Sequence, residues 1–233
     1  GTADGEELAA LFRVVDAAVA GGGCVKAVLL THRHRDHVSG VDPVRERYGA
    51  PVWAHGLVGN RVRLDRELED GERIEIRGRH PRVVRAIHTP GHSRSHFAFF
   101  EETSRTICAG DLVSTLGTVV IDPPDGNMAD YLASLARIRS LEATALIPAH
   151  GPPSRGVDHV IGALIEHRLM RESRVLRALE VGPLTEEALR EEVYRDTPGA
   201  PAQLAARTLE AHLEKLLEEG RVRRDAGSVE LKR

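Results

Sequence analysis

The chain has 233 residues, 41% of them hydrophobic and 29% charged, with a formal net charge of −3 at pH 7. That apolar share supports a packed core and excludes a disordered chain, and the small negative charge excludes a global electrostatic pull toward nucleic acid. Two cysteines build no disulfide framework and no apolar run is long enough to cross a bilayer, so a cytoplasmic setting without a membrane partner is expected.

From Asp4 to Ala20, Leu8, Leu11, Phe12, Val15 and Val19 recur at helical spacing, and Gly21-Gly22-Gly23 ends the helix. The apolar run Val25 to Leu30 then reads as a buried strand. Thr31-His32-Arg33-His34-Arg35-Asp36-His37 follows directly, with three imidazoles and a carboxylate in the loop at the strand end. His32 and His34 can point the same way from an extended backbone, while Asp36 and His37 can face a second point. Neutral imidazoles and carboxylates are the donors that Zn²⁺ and related divalent ions prefer. Two donor sets this close indicate a two-metal site rather than one structural ion. A lone His-x-His would fit a solvated loop; the full string is far rarer.

A short helix is predicted from Gly40 to Tyr48 and a strand over Pro51-Val52-Trp53-Ala54. Asp70-Gly71 marks a turn before the alternating Arg73-Ile74-Glu75-Ile76, and strands follow at 83–88, 96–100 and 104–109, the last two as a hairpin. The segment 127–140 carries Met128, Leu132, Leu135 and Ile138 on one helical face, and 144–148 is a strand. Three later strand ends repeat the setting of the first. Val83 to Ile87 leads into His88-Thr89-Pro90-Gly91-His92, Thr106 to Ala109 into Gly110-Asp111, and Ala145 to Pro148 into Ala149-His150-Gly151. Strand ends facing one way form the usual crevice of an α/β sheet. Seven donors can therefore converge: His32, His34, Asp36, His37, His92, Asp111 and His150. Cys108, in an apolar strand, is expected to pack in the core.

The order His-x-His-x-Asp-His, Thr-Pro-Gly-His, Gly-Asp and Pro-Ala-His-Gly resembles the metallo-β-lactamase superfamily over about residues 1–153. The resemblance implies an αβ/βα sandwich and a cofactor of two divalent ions, zinc foremost. It implies that His32, His34 and His92 hold one ion, that Asp36, His37 and His150 hold the other, and that Asp111 bridges them. Asp36 and Asp111 are then the carboxylates at the reacting centre, with hydrolysis by a hydroxide whose parent water the ions bring to a pKa of about 7. His34 stands where the flavodiiron branch carries Glu, which argues against oxygen reduction. Asp111 stands where true β-lactamases carry Cys or Ser, which argues against antibiotic hydrolysis. Phosphodiester, thioester and lactone hydrolysis stay open, as does iron-dependent persulfide dioxygenation. Members of the family open with strands ending in an Asp-x-Gly-type turn, whereas this sequence begins at Gly1-Thr2-Ala3-Asp4. The amino-terminal strands are therefore expected to be missing, and the exposed edge they leave is one a homodimer partner can cover.

After Gly151-Pro152-Pro153 the composition turns helical and charged, and 154–233 is expected to be a second, smaller domain. A helix over 158–180 is followed by a break at Gly182-Pro183, a helix capped by Thr185, a break at Asp196-Thr197-Pro198, a helix over 201–219 and a hairpin over 220–231. Three helices plus a hairpin resemble a winged helix. The third helix, which would enter a groove, carries Glu210, Glu214, Glu218 and Glu219 against Arg207 and Lys215. Positive charge lies elsewhere, at Arg168, Arg171, Arg174, Arg221, Arg223 and Arg224. Packing on the catalytic domain or dimerisation is preferred to duplex reading.

The two-domain layout is similar to the lactamase-like endoribonucleases that cut single-stranded RNA in mitochondria, and to their bacterial relatives. Residues 88–96 and Gly117-Thr118-Val119 fit that subgroup. The implied activity is phosphodiester hydrolysis with a single-stranded nucleic acid substrate. Positive charge carried almost entirely by Arg, with Lys only at 26, 215 and 232, matches a GC-rich bacterial genome. A glyoxalase II-like thioester hydrolase is the alternative, and a non-catalytic metal-binding or assembly module is a third reading. His96 is placed either behind a ligand or in a structural role, and His88 as support for the Thr-Pro-Gly turn. His55, His80, His159, His167 and His212 are given structural or surface roles. Asp122 and Asp125 can line the cleft, and Asp125 can equally cap a helix.

Overall fold

The computed structural model describes residues 3–197, 199 and 201–232; Gly1, Thr2 and Pro198, part of the predicted start and of the predicted break, lie outside the described residues. Helix α1 (Gly5–Ala20) is capped by Asp4, whose carboxylate accepts from the Glu6 and Glu7 amides at 3.0 and 3.2 Å. Strand β1 (Val28–Leu29), helices α2 (Arg35–Val38) and α3 (Val41–Tyr48), β2 (Val52–Ala54), a 3₁₀ turn (Gly56–Asn60) and β3 (Arg66–Glu67) follow. The three strands pair in parallel in the order β1-β2-β3.

A second sheet takes β4 (Arg73–Ile76), β5 (Arg82–His88), β6 (Phe97–Glu101), β7 (Thr106–Gly110) and, after α4 (Met128–Arg139), β8 (Ala145–Pro148). Its strands lie in sequence order, antiparallel except for the β7–β8 pair. The alternation of side chains along β6 defines the layers. Phe97 and Phe99 pack with Ile74, Ala86, Leu29 and Trp53 between the two sheets. Ala98 and Phe100 face the other way, into a cluster with Leu135 and Ile138 of α4. Val38 and Val41 cover the outer side of the first sheet. The order helix, sheet, sheet, helix is the αβ/βα sandwich expected from the sequence.

One expectation fails at β7. Ile107 and Ala109 are buried toward α4, but Cys108 is exposed, paired in register with Ile147, which is 42% exposed. Strand alternation sends both to the face opposite the helices. The first sheet ends at β1, whose Leu29 lines an open cavity with Cys108 and Ile147 rather than closing over them. Burial of that face depends on how far a neighbouring sheet extends, which a strand's own residues do not encode.

The remaining chain forms α5 (Val157–Leu179), α6 (Glu186–Val193), α7 (Ala202–Glu218) and the hairpin β9 (Val222–Asp225) and β10 (Ser228–Leu231). Thr185 caps α6 as predicted, its hydroxyl accepting from the Ala188 amide at 3.3 Å. Val175, Leu179, Leu189, Leu213, Leu216, Val222 and Val229 make the core of this part. Helix α5 serves both halves, because Val157, Ile161 and Leu164 lie in the main core. No helix among the described residues is long and apolar enough to cross a membrane.

Candidate metal centre

All seven predicted donors meet at one end of the sandwich. The carbonyl of Thr31, just past β1, accepts from the Phe97 amide at 2.7 Å, which fixes the motif at the start of β6, the central strand of the second sheet. His32 and His34 leave this extended stretch side by side. The chain then turns into α2, a single turn not expected from the sequence, and this swings Asp36 and His37 toward a second point. His92 arrives from the β5–β6 connection, Asp111 from the end of β7 and His150 from the end of β8. Two glycines permit the close approach. A Cβ on Gly91 (φ +132°) would meet the Tyr131 backbone at 2.3 Å, and one on Gly110 (φ +53°) would meet His96 Nε2 at 2.6 Å.

The donors form two groups, His32 with His34 and His92, and Asp36 with His37, Asp111 and His150; within each, the ligand atoms lie within 4.8 Å of one another. In the first, His34 Nδ1 is 3.0 Å from His32 Nε2 and 2.9 Å from His92 Nε2. Nitrogens sharing one tetrahedral ion sit about 3.3 Å apart. In the second, His37 Nε2 is 3.4 Å from Asp36 Oδ2, and His150 Nε2 is 3.5 Å from the same oxygen. Asp111 faces both groups. Its Oδ2 lies 3.4 Å from His92 Nε2 and 3.3 Å from His37 Nε2, and its Oδ1 lies 3.5 Å from His150 Nε2.

Residues 2–150 of this chain match the family model described as the metallo-beta-lactamase superfamily. The chain belongs to that superfamily. A second match, to the beta-lactamase associated winged helix domain, covers residues 185–229. Among curated relatives, the beta-lactamase-like protein 2 homolog of Caenorhabditis elegans is 28% identical over 209 residues, covering 84% of this chain and 66% of the nematode protein. The atrochrysone carboxyl ACP thioesterase dmxR1 of Cryptosporiopsis sp. is 31% identical over 163 residues, covering 70% of this chain. The chain spans 48% of that fungal protein's length. Among solved structures, the metallo-beta-lactamase family protein TTHA1429 of Thermus thermophilus has a TM-score of 0.72 at 26% identity, covering 92% of this chain and 83% of that one. The di-iron-bound form of TTHA1623 has a TM-score of 0.52 at 29% identity, covering 71% of this chain and 83% of that one.

The groups behind the candidate donors set their orientation. His32 Nδ1 meets the Thr31 hydroxyl at 3.1 Å, and His92 Nδ1 donates to the Val120 carbonyl at 2.9 Å. His34 Nε2 lies 3.3 Å from Asp125 Oδ2. Each ring is thereby left with one nitrogen facing the centre. Asp125 does not cap α4, since Asn127 does so by accepting from the Asp130 amide at 2.9 Å; Asp125 instead holds His34 and Arg33. His96 donates from Nδ1 to the Thr89 hydroxyl at 2.8 Å and accepts the Asp111 amide on Nε2 at 3.1 Å, so it fixes the backbone of a donor. His88 holds the turn through the Arg94 carbonyl at 2.9 Å. Thr31 was given no role of its own in the sequence, and Val120 was not singled out. A backbone carbonyl leaves no mark there, and a threonine before the motif has no distinctive spacing.

The electrostatics suit cations. Burial holds the imidazoles of His32 and His92 below their usual range, and it pushes His96 down to about 3. These rings are neutral at pH 7 and present lone pairs. Burial pushes Asp111 up, but a hydrogen bond from His37 and the nearby His92 and His150 rings bring its carboxyl below the usual range. Asp111 Oδ1 is buried without a hydrogen-bond donor. An ionised carboxylate with an under-satisfied buried oxygen is costly without a cation. The residues fit a pair of divalent ions.

Proposed function

We propose that this superfamily member is a two-metal hydrolase of phosphodiesters, with single-stranded RNA as its substrate and zinc as its ion. The observation that carries the reading is Asp111, one carboxylate within 3.4 Å of a donor in each group. Two divalent ions held there supply a low-pKa water and Lewis acidity toward a phosphoryl oxygen. The protein's own part is positional. Asp111 keeps a negative charge between the groups, and His96 and Gly110 fix its height at the end of β7. Asp36 and His150 are 55% and 52% exposed, so a substrate reaches the centre from their side. The preference for zinc rests on a donor set dominated by imidazole.

Two domains in the order of the RNA-cutting subgroup support the phosphodiester substrate. The nematode relative aligns over 84% of the chain, more than residues 1–150 alone can supply. The thioesterase named among the fungal relatives favours a second reading, thioester hydrolysis. The test is a hydrolysis assay of metal-loaded full-length protein on single-stranded RNA and on S-acyl thioesters. RNA cleavage that stops with chelator and with Asp111→Asn is expected, with a loss beyond the roughly 10–100-fold typical of an outer partner. Thioester turnover with intact RNA would replace the substrate, and iron rather than zinc in protein purified from its source would replace the ion.

A further inference from the structure

The segment between β7 and α4 is tied on both sides. Toward the centre, the Val120 carbonyl accepts from His92 Nδ1 at 2.9 Å, and Asp125 meets Arg33 Nη2 at 2.9 Å and His34 Nε2 at 3.3 Å. Toward the carboxy-terminal part, the preceding carbonyl, Val119, accepts from Arg168 Nη2 at 2.5 Å, and Asp122 Oδ2 accepts from Arg207 Nη1 at 2.6 Å. Arg168 lies on α5 and Arg207 on α7. Consecutive carbonyls thus bind opposite partners, one a helix of the second core and the other a metal-site histidine.

Arg168 is only 2% exposed, an unusual place for a guanidinium. Its charge lies over the Tyr131 ring, 5.2 Å from the centroid, and no ion pair to it occurs among the described residues. Burying a cation is expensive, and a carbonyl and a ring are modest returns if the sole purpose is to join two domains. The position of Val119 gives the arrangement a stronger rationale. We propose that Arg168, assisted by Arg207, is a positioning residue for the His32–His34–His92 group. It fixes residues 119–122 so that Val120 holds His92 with Nε2 turned toward its two partners. This inference rests on the two-metal reading above.

The test uses full-length Arg168→Met, which keeps an apolar stem over Tyr131 and removes the donor, and Arg168→Lys, which restores one. Metal-free protein is titrated with Zn²⁺ against a chromophoric chelator, and with Co²⁺ while visible absorption is recorded. The expected result is that Arg168→Met weakens one zinc equivalent about tenfold, leaves the other near wild type and alters the cobalt spectrum of the weakened one. Arg168→Lys recovers most of that loss. Folded Arg168→Met with wild-type affinities and spectrum overturns the proposal, as does a lowered melting temperature without selective loss of one equivalent. If Arg168→Met does not fold, Arg207→Glu, an exposed change that repels Asp122, takes its place. A selective weakening of about two- to fivefold is then expected, and unchanged binding overturns the proposal. Wild-type protein in the same titration separates the two readings. No metal uptake by wild type defeats the two-metal reading and this inference together, whereas equal uptake by wild type and variant defeats this inference alone.

Discussion

Asp125 carries more than its neighbours suggest, because one carboxylate steadies His34, Arg33 and the Arg94 amide together. Asp125→Asn keeps the size and removes the charge that fixes the outer nitrogen of His34. Zinc affinity of the His32–His34–His92 group is expected to fall about 10–100-fold, read by chelator competition. A second residue sets the behaviour of the protein in acid. His212 is fully buried on α7, and burial, with Arg168, Lys215, His167 and Arg171 nearby, pushes its imidazole down to about 3. The unfolded chain takes up that proton below about pH 6.5, while the folded chain does not until about 3. The stability His212 confers is therefore complete above about pH 6.5 and is lost as pH falls toward 3, amounting to about 2 kcal/mol by pH 5. His212→Leu is expected to flatten the fall in melting temperature of metal-free protein between pH 7 and 5. Curves of equal slope would show that this ring is not the source.

At the level of elements, the winged-helix hairpin has the outline of a nucleic-acid reader but not its free charge. Arg223 pairs with Glu230, Arg224 with Glu186 and Glu210, and Arg221 with Glu172 and Glu219. On α5, Arg171 is buried, and both it and Arg174 bind Asp196. The six arginines counted from sequence as positive charge elsewhere are thus, apart from the buried Arg168, all engaged with acids. Replacing Arg223 and Arg224 with Ala is expected to leave RNA affinity within about twofold and its salt dependence unchanged, since a free phosphate contact would contribute a slope of about one. The long helices and the helical spacing of their apolar faces were legible in the sequence, as was the convergence of the seven candidate donors, because strand ends and side-chain chemistry are local. The exposure of Cys108, the one-turn helix α2 and the pairing of the arginines were not. The first and the last depend on which distant surface lies opposite, which neither hydrophobic period nor net charge encodes, and the four-residue α2 is too short for a helical period to show.

Across the whole molecule, the two halves meet through α5 and α7. Ala211 of α7 joins the main core beside Val157, Ile161 and Leu164 of α5, while Val175 and Leu179 enter the smaller core. Ile161→Ala is expected to destabilise the protein by about 2–5 kcal/mol. Both halves should unfold in one calorimetric transition, in the variant as in the wild type; two resolved transitions would show that the cores melt separately. The two family matches end at residue 150 and resume at 185, so the 23-residue α5 lies in neither. A gene cut anywhere in that interval would strip a wall from one fragment or the other, exposing aliphatic side chains to water. The carboxy-terminal unit is therefore not a portable cassette to be grafted onto other enzymes or deleted for convenience, and shuffling experiments must carry the connecting rod with both pieces.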